Sequence, residues 1–83
     1  MSNYGTHQLW AGRNLVHDWI SRGIDEKITL VRKHGQRYLI EVDNDTLDGL
    51  IFDTELQIAD HMQPDPSWKR TCIKFLDQAR WLR

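Results

Sequence analysis

Apolar and polar positions organise most clearly between Lys27 and Phe52. Two apolar runs, Ile28-Thr29-Leu30-Val31 and Tyr38-Leu39-Ile40-Glu41-Val42, flank His34-Gly35-Gln36. Short β-branched runs on either side of a glycine-bearing turn predict a hairpin. A third run, Leu47 to Phe52, follows Asp43-Asn44-Asp45-Thr46, so the segment predicts a three-stranded antiparallel meander. Gly49 then marks a bulge or a close backbone approach. A two-residue His34-Gly35 turn would pair Ile28 with Glu41 and Leu30 with Leu39. A three-residue loop pairs Ile28 with Val42, Leu30 with Ile40 and Arg32 with Tyr38. The second register is the expected one, because it gathers four apolar residues on one face that a one-residue slip would expose. It also sets Arg32 against Tyr38 as a cation–π pair.

Helical spacing dominates on both sides of this segment. Leu9, Leu15, Val16, Trp19 and Ile20 fall on one arc at about 100° per residue. That arc predicts a helix from His7 to Arg22, capped by Thr6 and stopped at Gly23. Gly12 lies inside the arc, at a helix-propensity cost of about 1 kcal/mol, and so predicts a close approach to the sheet. Trp10 does not fit; it falls opposite, with Arg13, Asn14, His17 and Ser21. Asp53 or Thr54 caps a short helix from Glu55 to Met62, with Leu56, Ala59 and Met62 inward. Gln63-Pro64-Asp65-Pro66 breaks it. Asp65 then caps a last helix that starts at Pro66, with Trp68, Cys72, Phe75, Leu76, Ala79 and Leu82 in one stripe. The expected fold is α+β in the order α-β-β-β-α-α, a single domain over residues 1–83 with residues 1–6 as a flexible arm.

Composition narrows the class. Of 83 residues, 40% are apolar and 28% charged, the balance of an ordinary globular chain. No apolar run approaches the roughly 18–20 residues of a membrane span, and the N-terminus lacks a signal-peptide pattern. A lone cysteine, Cys72, excludes an internal disulfide, and together these features predict a cytoplasmic protein with no membrane partner. The formal net charge of −1 conceals three blocks: +3 over residues 1–40, −8 over 41–66 and +4 over 67–83. Residues 41–66 contain no Lys or Arg at all. Such blocks either steer partners or pair with one another inside the fold.

Candidate chemistry begins with the acids. Asn44 to Glu55 resembles the twelve-residue EF-hand calcium loop, with Asp48 at position five, Gly49 at six, Ile51 at eight and Glu55 at twelve. It departs from that pattern at position one, an Asn, and at position three, a Thr. The reading adopted is a strand end that feeds a helix cap. Leu50 to Glu55 also resembles the Phe-Asp-x-Glu strand motif of DEDD-type exonucleases, whose paired acids hold two divalent ions. The further acidic motifs of that fold are missing. Asp48, Asp53 and Glu55 are the acids on which a metal or enzyme reading would turn. His7, His17, His34 and His61 show no HxxxH spacing, and neither a nucleophile elbow nor a glycine-rich phosphate loop occurs. No catalytic residue, metal or cofactor is therefore expected. The order of one helix, three strands and a helix resembles a double-stranded-RNA-binding domain, with Trp68-Lys69-Arg70 as the nearest counterpart of its basic cluster.

Two tryptophans stand off their helical stripes. Trp81 projects with Arg70, Lys74 and Asp77, and Trp10 is similarly displaced. Aromatics beside cations mark protein-binding hot spots and stacking platforms for single-stranded nucleic acid. Trp81, Arg70, Lys74 and Trp10 are thus the expected binding residues. The expected function is a non-enzymatic module that binds a larger protein as adaptor, inhibitor or regulator, such as a phage or mobile-element inhibitor of a host or defence protein. The alternative is nucleic-acid binding through the C-terminal helix, using Arg70, Lys74, Arg80, Arg83 and Trp81.

Overall fold

A computed structural model describes residues 5–60 and 66–82. The fold is α+β, with a three-stranded antiparallel sheet and three helices, as expected. The elements run β1 (Thr6–Gly12), α1 (Arg13–Ser21), β2 (Thr29–His34), β3 (Arg37–Asp43), α2 (Asn44–Asp60) and α3 (Pro66–Leu82). Two segments therefore differ from expectation. The first half of the predicted first helix is a strand, and the predicted third strand is helical. The order is β-α-β-β-α-α, and the sheet is β1-β3-β2, not a meander.

β1 forms because β3 needs a neighbour on its second edge. Leu9 pairs with Ile40 and Trp10 with Leu39, so the faces of the two strands match. Leu9 and Ala11 are buried with Ile40 and Val42, whereas Trp10 turns to the opposite face. The poor fit of Trp10 to a helical arc reflects this period-two alternation. The N-cap falls at Gly12, not Thr6. A Cβ on Gly12 would lie 2.6 Å from Cγ2 of Thr71, so the close approach is to α3 and not to the sheet. The predicted stop at Gly23 is present. Its φ is +74°, and the N–H groups of Gly23 and Ile24 donate to the carbonyls of Ile20 and Trp19. These are the paired bonds of a Schellman end.

α2 fuses the predicted strand and short helix into one element. Asp43 caps it, accepting from the Thr46 N–H at 2.7 Å, where a turn followed by a strand was expected. Asp53 and Thr54 are helix interior, and Gly49 is a helical residue instead of a bulge. Leu47, Leu50 and Thr54 face the core, while Leu56 and Ala59 are exposed. Met62 and the expected Asp65 cap lie outside the described residues. α3 starts at Pro66 as predicted, burying Cys72, Phe75, Leu76 and Ala79. Trp68 is half-buried against that core, and Leu82 is exposed.

The hairpin register is divided. At its base Leu30 faces Ile40 and Thr29 faces Glu41, as a three-residue loop requires. A bulge at Val31 then shifts the tip, so that Arg32 faces Leu39 and His34 faces Arg37 around a two-residue Gly35-Gln36 turn. Arg32 consequently lies over Trp10, not Tyr38, with its Cζ 5.9 Å from the ring centroid. Leu30 shares the face of Ile40 yet remains 46% exposed, because β2 is an edge strand that the helices do not cover.

The helices lie on one side of the sheet. Leu15, Val16 and Trp19 of α1 meet the sheet residues and α3 in a single core, with Trp19 and Phe75 edge-to-face at 5.1 Å. An N–H from Arg13 donates to the Gln36 carbonyl at 2.8 Å, tying the hairpin tip to the start of α1. Gln78 of α3 closes the outer edge of β1. Its amide accepts from the Trp10 N–H at 3.0 Å and donates to the Trp10 carbonyl at 2.8 Å, as a neighbouring strand would.

Candidate binding surfaces

Three of the four expected binding residues line one seam, where α3 crosses β1. Trp10 and Lys74 share a cavity of about 250 Å³ with Arg37 and Gln78. Trp81 lines the next groove along, of about 370 Å³, together with Gln8 and Gln78. Gln78 thus joins the two. Helical spacing explains the arrangement, since positions 74, 78 and 81 rise along one side of α3. Arg70 is exposed one turn before Lys74 and lines neither cavity. Trp81 is 88% exposed.

Trp10 has company that the sequence reading missed. The Arg37 guanidinium stands 4.7 Å from the centroid of its ring, Arg32 stands on the same indole, and His34 meets it edge-on at 6.2 Å. All four belong to the helix-free face. Period-two alternation in Arg32-Lys33-His34 and in Arg37-Tyr38-Leu39 was the available signal, but it required the strand pairing of Trp10. Tyr38, on the covered face, lies instead near His17 at 6.1 Å.

A second surface was not anticipated. Between the loop after α1 and the exposed side of α2 runs an open groove of about 470 Å³. Its walls include Ile24, Phe52 and Leu56 at 37%, 63% and 44% exposure, and Leu50 lies at its base. Gly49 opens the middle of it, with nothing within 4 Å of where a Cβ would stand. Glu26, Lys27 and Asp53 stand on the rim. The missed signal was the spacing of Gly49, Phe52 and Leu56 on a helix, hidden while the segment read as a strand.

The acids singled out in the sequence do not converge on one another. Asp53 receives both terminal nitrogens of Arg22 at 2.7 and 2.6 Å, and Arg22 also meets Asp18 at 2.6 Å. Hydrogen bonding to Asp53 is the main reason that this guanidinium holds its proton more firmly than usual. Glu55 pairs with Arg80 at 2.5 Å. Part of the charge division is therefore neutralised inside the fold. Residues 44–55 are one continuous helix, so the turn geometry of a calcium loop is not formed there. For the same reason Leu50 to Glu55 is not the strand that the exonuclease motif requires. The element order also departs from that of a double-stranded-RNA-binding domain. Among the described residues, no three His, Cys, Asp or Glu side chains form a cluster able to hold a metal.

Two further groups are set by their surroundings. The Asp43 carboxyl sits below its ordinary range because it accepts from the Thr46 backbone and hydroxyl. Burial, reinforced by Asp18 and Asp53, pushes the Cys72 thiol up to about 11. Such a thiol is a core residue, not a poised nucleophile. Among the described residues, no helix is long and apolar enough to cross a membrane. No family model matches the chain, and no curated protein or solved structure matches it significantly.

Proposed function

We propose that the protein is a non-enzymatic binding module, a small adaptor, inhibitor or regulator that docks on a larger protein through the α2 groove. The observation that carries this reading is the contiguous exposure of Ile24, Phe52 and Leu56 around the open Gly49. Exposed apolar patches with a polar rim mark interaction surfaces, since leaving such area in water forgoes about 25 cal/mol per Å². Charge defines the partner further. α2 carries Asp45, Asp48, Asp53, Glu55 and Asp60 and no Lys or Arg, and it stays net acidic although Asp53 and Glu55 are held by Arg22 and Arg80. The complementary surface is an apolar anchor flanked by basic side chains.

A photo-crosslinking residue placed at Phe52 tests this in producing cells, with Lys69 as the control position. The expected result is a defined adduct with a larger protein at position 52, absent at 69 and lost when Leu56→Glu is added. Identical adducts at both positions, or an adduct indifferent to Leu56→Glu, would overturn the proposal. An adduct of twice the chain mass would replace the larger partner by a second copy.

A further inference from the structure

We propose that the helix-free face of the sheet binds single-stranded nucleic acid, with Trp10 as the base-stacking platform and Arg32, Arg37 and Lys74 as phosphate contacts. The site shares no residue with the α2 groove, so the two proposals stand or fall separately.

The first observation is uncompensated charge. Ion pairs among the described residues involve Arg22 and Arg80 alone on the cationic side. Among the described residues, Arg32, Arg37 and Lys74 have no carboxylate within ion-pair distance, although the chain as a whole is slightly acidic. Residues 29–37 contain Arg32, Lys33, His34 and Arg37 and no acid. The acids of β3, Glu41 and Asp43, lie at the end of the strand away from Arg37, where Glu41 accepts from Gln8 at 2.9 Å.

The second observation is the aromatic at the centre. Two guanidinium groups stand over the Trp10 ring at 4.7 and 5.9 Å, and Leu39 is its direct cross-strand neighbour. A plain anion needs only the cations. A sheet face with an indole, planar guanidinium groups and an apolar neighbour suits a ligand that alternates phosphates with π-faces. Those π-faces are available in a single strand and hidden in a duplex. Lys74 extends the cationic track across the cavity beside Trp10 toward α3. This differs from a C-terminal-helix site, since Arg80 is already held by Glu55 and Arg83 lies outside the described residues.

Fluorescence anisotropy with fluorescein-labelled oligo-dT and oligo-U of twenty nucleotides is the test, alongside the matching duplex and labelled poly-glutamate. The expected result is tighter binding of the single strands than of either control. Three phosphate contacts imply a log–log salt slope of about −2, a weakening of about twentyfold between 50 and 200 mM salt. Trp10→Ala should weaken binding by about tenfold or more, and Arg37→Gln and Lys74→Gln should each flatten the salt slope. Arg80→Gln should change nothing. If Trp10→Ala fails to fold, the two cation variants still decide the matter. Equal binding of duplex or poly-glutamate would reduce the face to a generic cationic patch and overturn the proposal. So would the absence of single-strand binding at 50 mM salt.

Discussion

Gly12 offers the sharpest test of how α3 is seated. An alanine there would place its Cβ 2.6 Å from Cγ2 of Thr71, well inside van der Waals contact. Thr71 is not free to turn away, because its hydroxyl donates to the Ser67 carbonyl at 3.0 Å and its branched χ1 is stiff. The clash must then be relieved by moving α3 against β1, and overpacking of this kind costs about 1–3 kcal/mol. Backbone strain adds nothing, since Gly12 has φ −60° and ψ 146°, which alanine adopts readily. In a domain of this size, each kcal/mol lowers the melting temperature by about 4–8 °C. Thr71→Ser removes the offending methyl and keeps the hydroxyl. Gly12→Ala should therefore be destabilising in the native background and close to neutral beside Thr71→Ser, a coupling of about 1 kcal/mol or more. Urea unfolding of the four proteins, followed by tryptophan fluorescence, measures it. Equal destabilisation in both backgrounds would show that α3 does not approach β1 as described.

The other stability predictions use the same assay. Gly49→Ala should stabilise the protein by about 0.5–1 kcal/mol, because Gly49 is helical and a Cβ there meets nothing; a loss of stability would refute the open groove. Trp81→Ala should shift stability by no more than about 0.5 kcal/mol, whereas Trp19→Ala, at the centre of the core, should cost about 3–5. A large loss at Trp81 would return it to the core. With the Cys72 thiol raised from its ordinary value of 9.0 to about 11, the folded state keeps a proton that the unfolded state releases. The resulting stability is complete below pH 9 and is lost as pH rises toward 11. Cys72→Ser should reduce that slope, and the native thiol should resist alkylation at pH 8.

Some of this protein was legible from local chemistry. α3 could be read because its apolar stripe, its proline start and its length all point to the same element. The stop at Gly23 followed from the left-handed residue a Schellman end requires, and the hairpin from apolar runs around a glycine turn. The base of its register followed from burying Ile40 and Val42. Trp10 and Trp81 were singled out because they did not fit an apolar helical stripe, and Arg70 and Lys74 as the cations beside Trp81.

Tertiary structure decided the rest. Leu9 and Ala11 are consistent with a strand by their spacing of two, while Leu9 with Leu15 and Val16 is consistent with a helix. Only the unpaired edge of β3, more than thirty residues away at Leu9↔Ile40, selects the strand. Leu47 to Phe52 is equally ambiguous, since a short apolar run has no period of its own. Once β1 occupies that edge, the segment satisfies its backbone as a helix capped by Asp43 and buries Leu47 and Leu50 instead of alternating. That exchange also set both surfaces. It turned Trp10 onto the open face beside Arg37, and it aligned Phe52 and Leu56 across Gly49. Local pattern fixes which residues seek burial, but the hydrogen-bond demand of a distant strand determines the face on which each one finds it.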